Sequence, residues 1–157
     1  MQSEHDNSLG FLLADVSRLM RAAFNEHLQG SSLTLAQARA LIYVSRHEGC
    51  RQVELAALLE IQPITLARLL DQLAEQDLVE RRPDPADRRA YRLFLTPAAP
   101  LQLHAIKQVT DLICADALRD LDEQQIHTLM QALNKMRNNL GMSDCSPDNT
   151  APAAVGS

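Results

Sequence analysis

Hydrophobic residues recur every three or four positions along most of the chain, which is the spacing of one face of an α-helix. Capping pairs mark two helix starts, Thr34 with Gln37 and Asp122 with Gln125. Together these patterns predict a mainly α-helical fold with an aliphatic core, rich in Leu and Ala. The predicted helices cover about 9–30, 34–49, 53–59, 63–73, 97–118 and 122–140.

The third and fourth predicted helices are short and close together. The break between them falls at residues 60–62, and Pro63 suits the first turn of the next helix, where a missing N–H costs little. Two short helices joined by such a turn are typical of a helix-turn-helix, although an ordinary helical hairpin inside a bundle has the same pattern. The buried face of the fourth helix is predicted to carry Ile64, Leu66, Leu69, Leu70 and Leu73.

A small β-hairpin is predicted directly after this pair of helices. "LVERR" at 78–82 and "YRLFLT" at 91–96 are β-prone, and "PDPADRRA" between them holds two prolines and two aspartates, which are turn formers. Thr96 is then predicted to be the N-cap of the fifth helix, with Pro97 at its first position.

Charge changes the interpretation of this hairpin. The chain of 157 residues has a net charge of −5, so general attraction to nucleic acid is not expected. Residues 81–92 nevertheless hold five arginines and two aspartates, a balance of +3, whereas 61–80 hold one arginine and four acidic residues, a balance of −3. A polar helix face beginning at Gln62, Thr65 and Arg68, beside a basic hairpin, fits a winged helix-turn-helix that reads both DNA grooves. The other interpretation is that these charges only solvate a turn.

The string "DPADRRAYRLFLT" resembles the wing signature of the MarR family of bacterial transcription regulators, an Asp-x-Arg pair followed by a Leu-x-Leu-Thr strand end. With "LGFLLADVSRLMR", "LTLAQARAL" and "VELAALLEIQPITLARLLDQLAEQDLVERR", the chain is most similar to the SlyA-like branch, over about residues 9–140. Two positions depart from the family pattern. Ala99 and Asp77 stand where the family often has glycine, and Asp tolerates the turn that Asp77 must make.

The resemblance implies a homodimer with a winged helix-turn-helix domain and a helical dimerisation region. Residues 8–140 would form a single domain, with dimerisation helices at about 8–30 and 97–140 flanking the winged helix-turn-helix at about 33–96. The apolar stripes of the outer helices agree, because they exceed what one chain of this length needs to cover its own core. An intramolecular bundle is the alternative.

The resemblance also implies a set of residues that contact double-stranded DNA at a pseudo-palindromic operator. In the fourth helix Arg68 would contact bases, Thr65 a phosphate or base, and Ile64 a thymine methyl group. In the wing Arg89 would enter the minor groove, oriented by Asp87. Arg92 would either contact DNA or brace the wing through an aspartate. The full DNA-binding set is Gln62, Pro63, Ile64, Thr65, Arg68, Arg82, Asp87, Arg88 and Arg89, with Arg82 and Arg88 on phosphates.

Many relatives release DNA when a small aromatic or phenolic effector binds between the dimerisation helices and the DNA-binding lobe. The polar residues that would line such a pocket here are Arg18, Thr34, Gln37 and Arg39. The alternative roles are a capping box for Thr34 and Gln37, and surface charges or interchain ion pairs for the two arginines.

Other classes of function are less consistent with the sequence. A cysteine-based redox regulator of the same fold would use Cys50, Cys114 or Cys145, but none of them lies near the first helix, where redox-sensing relatives carry theirs. The five histidines have no metal-ligand spacing, no cofactor motif is present, and no enzyme signature is found. A non-DNA-binding interaction protein would not need the arginine-rich hairpin.

The ends of the chain predict little structure. Residues 1–7 and 141–157 are polar and are expected to be disordered. The N-terminus lacks the features of a signal peptide, and no apolar run is long enough to cross a membrane, so a cytoplasmic location is expected.

Overall fold

The computed structural model describes residues 8–141, which form six α-helices and one two-stranded antiparallel sheet. The predicted disordered N-terminus and the predicted tail beyond Gly141 lie outside the described residues. None of the helices described is long and apolar enough to cross a membrane. In chain order the elements are α1 (Leu9–His27), α2 (Leu35–Arg46), α3 (Gln52–Leu59), α4 (Pro63–Glu75), β1 (Val79–Asp84), β2 (Asp87–Leu95), α5 (Ala99–Ala117) and α6 (Glu123–Asn139).

Helices α2, α3 and α4 and the hairpin pack into one lobe around an aliphatic core. The core is built from the faces that the helical spacing predicts. Its fully buried large side chains are Leu41, Val44, Leu55, Leu66, Leu70, Leu73 and Leu93. Burial of each such side chain contributes about 1.5–3 kcal/mol, so this lobe has its own core without α6.

The capping boxes predicted for α2 and α6 are confirmed. Gln37 N–H donates to Thr34 Oγ1 at 3.2 Å, and Thr34 N–H donates to Gln37 Oε1 at 2.9 Å. Asp122 and Gln125 repeat this exchange at the start of α6. Each box satisfies two N–H groups that the first helical turn leaves without partners.

The turns around α4 use left-handed backbone at residues other than glycine. Glu60 ends α3 with φ of 55°, and Asp77 follows α4 with φ of 58°. The expectation that Asp77 makes the turn usually assigned to glycine is therefore confirmed. These two turns fix the directions in which α4 enters and leaves the lobe.

The predicted start of α5 is wrong. The helix begins at Ala99, with Ala98 as its N-cap and Pro100 in its first turn. Thr96 does not cap it: its hydroxyl donates to Asp77 O, and its own carbonyl accepts from Ala99 N–H at 3.1 Å. Thr96 thus ties the end of β2 to the turn after α4.

The hairpin strands are longer than the sequence indicates. Asp84 pairs with Asp87, so Pro85 and Ala86 make the connection, and the predicted eight-residue turn is wrong. The arginines therefore lie on strands, and their side chains point alternately to the two faces of the sheet. The segment before α3 joins the sheet edge: Gly49 N–H donates to Leu93 O, and Arg51 forms an isolated bridge with Arg92.

Helices α1, α5 and α6 lie outside this lobe and leave large apolar side chains exposed. No residue of α6 is buried, and on α1 only Phe24 is buried within the helix. The exposed apolar residues of these helices and the loop before α6 are Leu9, Phe11, Leu12, Leu13, Val16, Leu19, Leu101, Leu112, Leu121, Leu129 and Met130.

Candidate nucleic-acid interface

Helix α4 presents one buried face and one exposed face. Leu66, Leu70 and Leu73 are fully buried in the lobe. The predicted contact residues Gln62, Pro63, Ile64, Thr65 and Arg68 all lie at the exposed start of the helix. Ile64 was also predicted to belong to the buried face, which is wrong: it is 77% exposed. An aliphatic side chain this exposed between polar neighbours is suited to an apolar contact with another molecule.

The five hairpin arginines divide into two groups. Arg81 is held by three acceptors: Asp71 Oδ1 at 2.7 Å, Ala67 O at 3.0 Å and Gln52 Oε1 at 3.1 Å. It therefore braces β1 against α4 and α3 and has little capacity left for other partners.

Arg82 is also engaged within the chain. Its guanidinium pairs with Glu80 and stacks over the Phe94 ring, 4.0 Å from the centroid. The predicted phosphate contact of Arg82 would require it to leave or share these partners, so the structure does not favour that role.

Arg92 acts as a brace. Its Nη1 donates to Gly49 O at 3.0 Å, and its Nε lies 3.3 Å from Asp84 Oδ2. Of the two roles left open by the sequence, contact or brace, the geometry supports the brace, with Asp84 rather than Asp87 as its partner.

Arg88 and Arg89 form the second group. Both are exposed, and neither guanidinium has a hydrogen bond or ion pair within residues 8–141. Asp87 Oδ1 accepts from Arg89 N–H at 3.0 Å, so it fixes the backbone of Arg89 rather than its guanidinium. The two side chains are exposed cations next to the turn of the wing.

Asp84 is a buried carboxylate at the end of β1. Its Oδ1 accepts from Ala86 N–H at 2.9 Å, and its Oδ2 accepts from Arg51 Nε at 2.7 Å. The hydrogen bond from Ala86, with Arg51 and Arg92, holds the pKa of Asp84 below its usual value, although burial acts in the opposite direction. The Asp84–Arg51 pair joins residues 33 positions apart and was not predicted from the sequence.

A groove of about 240 Å³ separates the wing from the start of α4. It connects the two predicted contact regions, because Arg89 and Tyr91 line one side and Pro63 the other. Arg51, Gln52 and Val53 at the start of α3 form its floor. The exposed start of α4 and Arg89 of the wing therefore border the same groove.

A second, apolar cavity of about 380 Å³ lies between α1, α2 and α5. Of the four residues predicted to line an effector pocket, only Arg39 is found there. Arg18 pairs with Asp15 on the exposed side of α1, and Gln37 points to Gln72 on α4, at 2.8 Å. The sequence missed the polar groups contributed by other helices. The lining residues are Leu13, Val16, Ser17, Met20, Arg21, Phe24, Leu35, Arg39, Ile42, Thr110 and Ile113.

Comparison with known proteins agrees with this geometry. The MarR family model matches residues 31–90, from the loop before α2 into β2. A crystal structure of MarR superimposes with a TM-score of 0.78 at 27% identity, covering 89% of this chain and 95% of that one. Over its DNA-binding lobe the chain is therefore similar to the MarR family. Wild-type apo MarR from E. coli gives 0.71 at 27% identity, covering 82% and 96% of the two chains.

MarR-family proteins are DNA-binding transcription regulators, and the predicted winged helix-turn-helix fold is confirmed. The regulator SlyA is also similar, with a TM-score of 0.67 at 26% identity, covering 82% of this chain and 90% of that one. The family resemblance is thus confirmed, while the assignment to the SlyA-like branch stays a prediction.

The cysteines of this chain do not lie on the wing or on the exposed face of α4. Cys50 is buried before α3, where its Sγ contacts Glu54 Oε2 at 3.3 Å and Arg51 O at 3.4 Å. Cys114 is half-buried on α5. Cys145 lies outside the described residues. Within residues 8–141 no three His, Cys, Asp or Glu side chains are grouped as metal ligands.

Proposed function

We propose that this protein is a homodimeric, sequence-specific DNA-binding regulator that represses transcription by occupying promoter DNA and leaves it when a small organic effector binds. The observation that carries the proposal is the surface formed by the exposed start of α4 and by Arg88 and Arg89. Arg89 and Pro63 at the start of α4 line the same groove, and the two wing cations have no partner within the described chain.

In this proposal α4 enters the major groove. Arg68 donates to a guanine edge or an adjacent phosphate, and Gln62 and Thr65 contact adenine or the backbone. Ile64 packs on a thymine methyl group, a contact for which its exposure is well suited. Pro63 starts the helix without an N–H, so it adds contact area and no donor.

The wing supplies the second contact. Arg89 enters the minor groove, where the negative potential attracts guanidinium groups, while Asp87 holds the backbone of that residue. Arg88 binds a phosphate. Both contacts displace counterions, so affinity is expected to fall steeply with salt.

Dimerisation is supported by the apolar surface of α1, α5 and α6. Soluble monomers rarely expose contiguous apolar patches larger than a few hundred Å². Here α6 has no buried residue and lacks extensive contact with any other element of the described chain. A second copy of the chain would cover these faces, and two-fold symmetry would then place two α4 helices on a pseudo-palindromic operator.

The cavity between α1, α2 and α5 supports an effector site. Its walls are mostly apolar, and Arg21 and Arg39 are its cationic groups. Arg39 has no acidic partner within the described residues. An apolar cavity with guanidinium groups suits a small aromatic acid, whose ring packs on the walls and whose carboxylate pairs with arginine. Because α1 and α5 belong to the dimer region and α2 to the lobe, a bound effector would change the separation of the two lobes.

The proposal is tested by fluorescence anisotropy of the purified chain on the DNA upstream of its own gene, against random DNA of equal length. The expected result is preference for the specific fragment and a linear fall of log K with log salt. If neither this fragment nor a selection from genomic fragments yields preferred DNA, the DNA-binding proposal is wrong.

The effector arm uses the same complex and a panel of phenolic acids and oxidants, with 2-hydroxybenzoate as the first probe. Release by an acid in the wild type but not in Arg39→Ala would support the cavity. Arg18→Ala is the matched control, because it removes a guanidinium from α1 outside the cavity. Release by oxidants alone would favour the redox alternative.

A further inference from the structure

Asp84 cannot itself contact DNA. Its side chain has no exposed area, and both carboxylate oxygens are already engaged, Oδ1 by Ala86 and Oδ2 by two arginines. It is the one buried charged residue in the part of the chain that the structure describes. Burial of a carboxylate is costly unless it is paired, so its position calls for a structural explanation.

The partners of Asp84 belong to different elements. Arg92 is on β2, within the same hairpin, whereas Arg51 is the N-cap residue of α3. The 2.7 Å contact from Arg51 Nε therefore joins the outer part of the wing to the helix-turn-helix. At its inner end the wing is held separately, by backbone hydrogen bonds between Leu93 and residues 49 and 50.

Arg81 holds the inner part of β1 against α4, and the Asp84–Arg51 contact adds an attachment nearer the tip of the wing. Arg51 is in the floor of the groove that has Arg89 on one side and Pro63 on the other. An isolated two-stranded hairpin is marginal in water, so a wing without an outer attachment would sample many orientations. DNA binding would then have to order it, which reduces affinity.

We propose that Asp84 is a positioning residue for DNA binding: through Arg51 it holds the wing at a fixed distance from α4, so that Arg89 and α4 reach DNA in one encounter. This inference rests on the proposed function. It assigns a role in DNA binding to Asp84, a residue that does not contact DNA and whose effect depends on Arg89.

The first test compares Asp84→Asn with the wild type by amide hydrogen exchange and needs no DNA. Asn keeps an acceptor for Ala86 N–H but loses the charge that attracts Arg51. Amides of residues 86–90 should exchange roughly tenfold faster, while those of α2 and α4 stay unchanged. Unchanged exchange in the wing would overturn the proposal, whether or not an operator has been found.

The second test is a double-mutant cycle on the preferred DNA fragment. Asp84→Asn alone should raise Kd by about tenfold, but it should add little to Arg89→Ala, because a wing without Arg89 has less to position. Equal losses in both backgrounds would mean that Asp84 only stabilises the fold. A wild-type chain without DNA preference would instead refute the proposed function and leave the exchange result to decide on Asp84.

Two further variants secure the result. Arg51→Gln breaks the same pair from its more exposed partner, which is 36% exposed, and should reproduce both effects if Asp84→Asn folds poorly. Asp116→Asn is the matched control. This carboxylate is 73% exposed on α5, four elements after α3 in chain order, and within the described residues it pairs only with Arg119. It should change neither exchange in the wing nor Kd.

Discussion

Five arginines of one hairpin have different uses, and their neighbours decide which. Arg81 and Arg92 form hydrogen bonds and ion pairs with carboxylates and carbonyls of the lobe, and Arg82 lies over an aromatic ring. Arg88 and Arg89, beside the turn, reach no such partner in the described chain. A charge count along the sequence does not distinguish the five arginines. In the structure, two of them are exposed and can bind an external anion.

Substitution of these arginines should therefore separate binding from stability. Arg89→Ala should cost about 1–3 kcal/mol of DNA-binding free energy and lower the salt slope by about 1, with the melting temperature unchanged. Arg81→Ala should instead lower the free energy of unfolding by about 1–2 kcal/mol, because it loses its bonds to Asp71 and Ala67. Anisotropy and thermal melts on both variants check this. Arg119→Ala, exposed in the turn after α5, is the control.

Ile64 makes a prediction about bases rather than phosphates. If it packs on a thymine methyl group, replacement of thymine by deoxyuridine at that step should weaken wild-type binding by roughly fourfold, the equivalent of about 0.8 kcal/mol for one methyl-sized contact. Ile64→Ala should bind both DNAs equally. A deoxyuridine scan of the operator measures this. Equal affinity of the wild type for every substituted fragment would show that Ile64 reads no methyl group.

At the scale of elements, contacts between residues close in the sequence could be predicted, whereas contacts between residues far apart in the sequence could not. The capping boxes at Thr34 and Asp122 were found from the sequence because each joins residues three positions apart. The Asp84–Arg51 pair was not, because only the folded chain brings α3 to the wing. Thr96 misled for a similar reason: its hydroxyl looked like an N-cap, but a carbonyl after α4 takes it.

The attachment of the hairpin should depend on pH in a defined direction. The folded-state pKa of Asp84 is below the unfolded value, so its contribution to stability is fully present above the unfolded value and is lost as pH falls through the folded one. The melting temperature of the wild type should exceed that of Asp84→Asn at neutral pH, and the gap should close in strong acid. Paired melts from pH 7 downwards test this. A gap that widens on acidification would contradict the assignment.

At the scale of the whole molecule, the chain combines a lobe with a closed core and three helices with uncovered apolar faces. The fold class and the DNA-reading lobe could be predicted from helical spacing and the arginine cluster. The groove beside the wing and the apolar cavity could not, since each collects residues from three elements. The cavity lies where α1 and α5 meet α2, so it borders both parts of the molecule.

The uncovered faces predict a dimer that a single charge can disrupt. Met130→Glu places a carboxylate in the apolar stripe of α6 and should convert the dimer to monomers in sedimentation equilibrium, with weaker operator binding as a result. Thr128→Glu adds the same charge on the opposite face of α6 and should stay dimeric. A wild-type chain that sediments as a monomer at micromolar concentration would contradict the proposed assembly.

The uneven charge of the chain has a consequence for how it searches a genome. Residues 81–92 carry +3 within a chain of net −5, so the remaining residues carry −8. The molecule is thus an electric dipole that DNA attracts by the wing and repels elsewhere. Most random collisions with chromosomal DNA, which offers about 10⁶–10⁹ competing sites, would be brief. A few copies per cell would then find a specific site quickly, because nonspecific DNA would not retain them.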